Sequence, residues 1–123
     1  MSFKDLAIDL QMEKEEYLEM IALFLEISAK DLTDLQSALE RGDGPRAANA
    51  AHSIKGASSN LGLMQIYELA QKIETEAREN HSDRNSERVL MLRERLDHLT
   101  EEFKQESNDK ERGDPLSMEK GGT

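Results

Sequence analysis

The 123-residue sequence has no cysteine, so neither a disulfide framework nor a thiolate zinc site is available to it. Long apolar runs are missing too. A run such as Ile21 to Leu25 falls far short of the roughly 20 residues that span a bilayer, and the N-terminus lacks the charged-then-apolar pattern of a signal peptide. A cytoplasmic protein without membrane contact is expected. Positive charge is scarce: 16 lysines and arginines against 26 aspartates and glutamates leave a formal net charge of −10. That balance argues against nucleic acid, whose binding rests on concentrated basic side chains, and against anionic membrane surfaces. No glycine-rich phosphate loop of the P-loop or kinase type occurs. None of His52, His81 or His98 has a glutamate three residues before it, which excludes the inward Glu-x-x-His pairs of a di-iron bundle. No resident metal or cofactor is expected.

What the chain does have is helical periodicity in a length suited to one domain. Ser2 with Phe3, Leu6, Ala7 and Leu10 reads as a short capped amphipathic helix. From about Glu13 to Arg41, the residues Tyr17, Ile21, Phe24, Ser28, Leu32, Leu35 and Leu39 keep helical spacing. Gly42-Asp43-Gly44-Pro45 ends that helix, with Pro45 placed in the first turn of the next. The third helix carries Ala47, Ala51, Ile54, Ser58 and Leu61 inward and breaks at Asn60-Leu61-Gly62. Leu63, Ile66, Ala70, Ile73 and Ala77 mark a fourth helix; Val89, Leu92, Leu96, Leu99 and Phe103, capped by Ser86, mark a fifth. The expected fold is all-α: an antiparallel up-down four-helix bundle with a short additional N-terminal helix, monomeric, over residues 1–106. Residues 107–123, with Gly113, Pro115, Gly121 and Gly122 amid charges, are expected to form a disordered polar tail.

The stretch with chemistry in it is Ala51-His52-Ser53-Ile54-Lys55-Gly56-Ala57-Ser58-Ser59-Asn60-Leu61-Gly62-Leu63. At about 100° per residue, His52, Lys55, Gly56 and Ser59 share one strip, with Ile54 about 160° from the imidazole. An inward Ile54 therefore turns His52 to water. Ala48, Asn49, Lys55, Gly56 and Ser59 are its helical neighbours, all small except the lysine, so a partner can reach the ring. A glycine inside a helix costs about 1 kcal/mol relative to alanine, and close approach of another molecule is a reason to keep Gly56. Lys55 adds positive charge beside the ring, suited to an anion held there. From Arg41 to Tyr67 the only charged side chains are Arg41, Asp43, Arg46 and Lys55, so the strip lies in the one part of the chain that is not acidic.

This stretch resembles the signature of histidine-containing phosphotransfer (HPt) domains, in which His-x-x-Lys-Gly is followed by small residues, an apolar residue and a second glycine. Here those positions are His52, Lys55, Gly56, Ser58, Ser59, Leu61 and Gly62. The resemblance implies that His52 accepts a phosphoryl group from the aspartyl phosphate of a response-regulator receiver domain and passes it to another receiver aspartate. A hybrid sensor histidine kinase is a further implied partner. Lys55 would offset the phosphoryl charge, Ser59 could donate to the same oxygens, and Ala48, Asn49 and Gly56 would line the docking surface. Mg²⁺ would belong to the receiver. Glu74 resembles the acidic residue often found at its position in the family, and an ordinary solvated flank is an equal reading of it. The competing account is a helical interaction module without phosphorylation, which leaves Gly56 and the bare strip unexplained. His81, in a polar turn, and His98, beside Leu99, read as bystanders.

Overall fold

The computed structural model describes the backbone of residues 2–79 and 82–122 and the side chains of residues 2–79 and 87–108. It contains five helices in order: α1 (Phe3–Asp9), α2 (Lys14–Glu40), α3 (Gly44–Asn60), α4 (Met64–Arg78) and α5 (Ser82–Gly122). Local chemistry sets most of the ends. Ser2 Oγ accepts from the Asp5 N–H at 3.1 Å to start α1, and the Glu13 N–H donates to Glu16 Oε1 at 3.3 Å at the head of α2. Asp43 caps α3 by accepting from the Arg46 N–H at 3.1 Å, with Pro45 in the first turn. Past the end of α3, Gly62 has φ +74°, a left-handed conformation that only glycine adopts freely, and a Cβ there would meet Leu6 Cδ2 at 3.4 Å.

The four long helices form a closed ring in which α2 and α4 each pack on α3 and α5. Antiparallel order follows from contacts between chain-distant ends. The Tyr17 hydroxyl, at the start of α2, donates to the Leu61 carbonyl beyond α3 at 2.6 Å. Lys14 meets Glu106 at 2.5 Å, and Arg88 donates to Glu76 at 2.8 Å. α1 closes the end of the bundle, with Phe3, Leu6 and Ala7 buried and the Phe3 ring 6.2 Å from that of Tyr17. Burial pushes the Tyr17 hydroxyl up to about 12. The fold is the expected one, with most of the expected inner residues buried; Leu10 is exposed, Phe103 is only partly buried, and on α2 Ala38 takes the last core position while Leu39 is only partly covered.

Two boundaries differ. α5 begins at Ser82, so Ser86 lies inside the helix rather than at its cap. Its backbone also continues as helix to Gly122, where coil was expected from Ser107. A helix already formed extends without a new nucleus, and Glu106, Lys110 and Glu111 are good helix formers. His81, expected in a loop, lies outside the described residues.

Inside this ring α3 is the helix of small side chains. Ala47, Ala48, Ala50 and Ala51 are all buried, which lets its neighbours approach closely. Ile54 is completely buried, which stabilises the fold by about 1.5–3 kcal/mol. That anchor fixes the rotation of α3 and so decides what it shows to solvent.

Candidate functional site

With Ile54 inward, His52 stands out: its side chain is 62% exposed. Asn49, Gly56 and Ser59 are exposed along the same outer face. Nothing lies within 4 Å of where a Gly56 Cβ would be, so no contact inside the protein requires a glycine there. Lys55 is largely covered. Its side chain is 22% exposed, and its Nζ lies 2.8 Å from Glu74 Oε1. Ala48 departs further, being fully buried. It precedes Lys55 by seven residues and so shares the face of α3 that meets α4. Ala48 therefore lines the α3–α4 seam and not the outer face of α3 expected to receive a partner.

The centre of the site is Glu74, on α4. Its side chain is only 10% exposed, and three cationic or potentially cationic side chains converge on it. Oε1 takes Lys55. Oε2 takes His52 Nδ1 at 3.2 Å, together with Arg78 Nη2 at 2.9 Å and Nε at 3.3 Å. Burial alone would push the Glu74 carboxyl up, but the close contacts of Lys55 and Arg78, and the charges of Lys55 and His52, outweigh it. The net result is a carboxyl held below its ordinary value. An ionised carboxylate can only accept hydrogen bonds. His52 Nδ1 is then the donor of this bond, and in the neutral ring Nε2 is the nitrogen left free.

This electrostatic arrangement carries its own pH signature. Because the folded-state value lies below the ordinary one, the cluster's stabilisation is complete above the ordinary glutamate range and is lost as pH falls through the depressed value. A carbon-13 titration of the Glu74 carboxyl is expected to show a midpoint below 4.5; a midpoint at or above it would mean that burial, not the cations, dominates.

The remaining sequence candidates sort by position. Ser59 is exposed but is no member of the Glu74 cluster. His98 is exposed on α5, with its Nε2 3.8 Å from Glu102. No group of three or more histidine, aspartate or glutamate side chains placed to hold a metal occurs among the described residues, and none of their helices is long and apolar enough to cross a membrane. Two features escaped the sequence. Arg78 reads there as an ordinary surface cation four residues after Glu74. On α2, Met20, Leu23 and Ile27 are 42%, 57% and 43% exposed, an apolar strip whose i, i+3, i+7 spacing merges in sequence with the core stripe. The strip continues one turn on to Asp31, which accepts from Ser53 Oγ at 2.6 Å, so it runs beside the outer face of α3.

The fold has a counterpart. The chain superimposes with TM-score 0.76 on the crystal structure of histidine-containing phosphotransfer protein B from Pseudomonas aeruginosa PAO1, at 28% identity over 85% of this chain and 90% of that one. No curated protein matches the chain significantly. The family model described as Hpt domain matches residues 19–106, from within α2 to well into α5, and takes in every residue of the Glu74 cluster. The chain belongs to the Hpt domain family, the histidine-containing phosphotransfer domains of phosphorelay signalling.

Proposed function

We propose that His52 is the residue on which this Hpt domain carries its phosphoryl group, between the aspartates of response-regulator receiver domains. The observation that carries the reading is the pairing of His52 Nδ1 with the ionised Glu74, which turns a free Nε2 outward on an open helix face. In the step, Nε2 attacks the phosphorus of a receiver's aspartyl phosphate. The N–P bond forms as the acyl O–P bond breaks, and the aspartate leaves as carboxylate. The Nδ1 proton stays on the ring against Glu74, so the ring is cationic while it holds the group. A carboxylate oxygen of the next receiver then attacks the phosphorus, and the imidazole departs neutral with no proton transferred. Lys55 has three N–H donors; while one is engaged with Glu74, the others are available to phosphoryl oxygens.

Phosphoryl transfer relies on positioning and charge neutralisation. The receiver would contribute Mg²⁺ and its acidic pocket, and this domain its nucleophile. Asn49, Ser53, Gly56 and Ser59 form a low ridge for docking, and the apolar strip of Met20, Leu23 and Ile27 beside it supplies area to bury. Residues 1–106 form the phosphotransfer unit, supported by the end of the family match at residue 106. A net charge of −10 favours a cytoplasmic monomer that binds no nucleic acid. A hybrid sensor histidine kinase is the second partner class. The test is transfer from a purified phosphorylated receiver with Mg²⁺ and no nucleotide: label should move to this chain and then to a second, unphosphorylated receiver. A chain that takes no label from any cognate receiver is an interaction module instead.

A further inference from the structure

We infer that Arg78 is a positioning residue for His52 that acts through Glu74, the outer half of a clamp whose inner half is Lys55; the inference rests on His52 being the phosphoacceptor. A glutamate carboxylate turns about a soft terminal torsion, so one bond does not aim it. Lys55 holds Oε1. The imidazole is a poor second hold, since its bond to Oε2 is 3.2 Å long and its ring is mostly exposed. Arg78 supplies what is missing, with two N–H groups on that same oxygen at 2.9 and 3.3 Å.

The local sequence favours the arrangement. Glu74 precedes Arg78 by four residues, the better orientation for such a pair, and Arg78 stands in the last turn of α4, where the helix dipole favours a cation. With the carboxylate aimed by both clamps, the Nδ1–H tautomer is selected. Without Arg78 the carboxylate swings with Lys55, and the ring relaxes toward the mixture of tautomers that solvent permits. A plain surface ion pair at this place would add a little stability and leave the tautomer alone.

Nitrogen-15 spectra of the full chain, taken at a pH where the ring is neutral, read this directly. The wild-type His52 ring should show chiefly the Nδ1–H form, and Arg78→Ala should raise the Nε2–H share, with Arg78→Lys in between. Transfer from a phosphorylated receiver should slow roughly two- to fivefold in Arg78→Ala, the range open to a half-exposed ion pair. In a Glu74→Gln background, Arg78→Ala should cost nothing further. An unchanged tautomer ratio in Arg78→Ala would overturn the inference. So would an undiminished slowing in the Glu74→Gln background, which would place Arg78 directly on the phosphoryl group. Failure of the wild-type chain to accept any phosphoryl group would refute the phosphoacceptor reading instead, and the tautomer measurement would still decide the role of Arg78.

Discussion

His52→Gln yields a folded bundle that takes up no phosphoryl group. The side chain is mostly exposed and its bond to the protein is the one to Glu74, so its loss opens no cavity and strands no core group. Glutamine can still donate to Glu74 through its amide. Stability should therefore change by no more than about 0.5 kcal/mol, as for other exposed substitutions. What disappears is the nucleophile, because an amide nitrogen has no lone pair to offer phosphorus. Incorporation from a phosphorylated receiver, followed by mass spectrometry, should fall to background. His98→Gln should label like the wild type, since His98 pairs with Glu102 and is no member of the Glu74 cluster, and His81→Gln should do the same. Label that persists in His52→Gln would move the phosphoacceptor elsewhere.

Gly56→Leu separates folding from function in the other direction. No atom lies within 4 Å of the Cβ it would add, and leucine has the higher helix propensity by roughly 0.8 kcal/mol. The melting temperature should hold or rise by about 2–4 °C. The added side chain, however, stands one turn from His52 on the face the receiver must cover. Displacing the reacting atoms by about 1 Å costs on the order of a hundredfold, and a leucine imposes more than that, so transfer should fall by at least about a hundredfold. Transfer at the native rate, measured beside the melting curve, would show that Gly56 does not serve access.

The contrast between α3 and its surroundings explains how much of this could be read from the sequence. Within α3, His52, Lys55, Gly56 and Ser59 are related by helix geometry alone, and one strong anchor, Ile54, orients them all. Glu74 was legible only through family resemblance, because its partners lie 19 and 22 residues earlier on another helix, and no periodicity links the two. Arg78 was invisible for the same reason: an i, i+4 pair on a helix surface is commonplace. Ala48 was misplaced because the wheel gives angles about one helix but not where α4 packs against it. The apolar strip on α2 went unremarked because Met20, Leu23 and Ile27 stand one position before the core residues Ile21, Phe24 and Ser28, and only the packed neighbours reveal that they stay outside the core. The architecture was the more secure part, since the buried stripes of four helices state it repeatedly, whereas the extent of α5 has no apolar stripe to mark it.

In the proposed mechanism the phosphoryl group resides on Nε2 of His52, with Nδ1 held by Glu74. Phosphorus-31 and nitrogen-15 spectra of the chain, phosphorylated by a cognate receiver, test it most directly. The expected result is a single phosphoramidate, labile in acid and stable in base, whose phosphorus is bonded to Nε2 of His52. A bond to Nδ1, a phosphoryl group on another residue, or an acid-stable ester would contradict it.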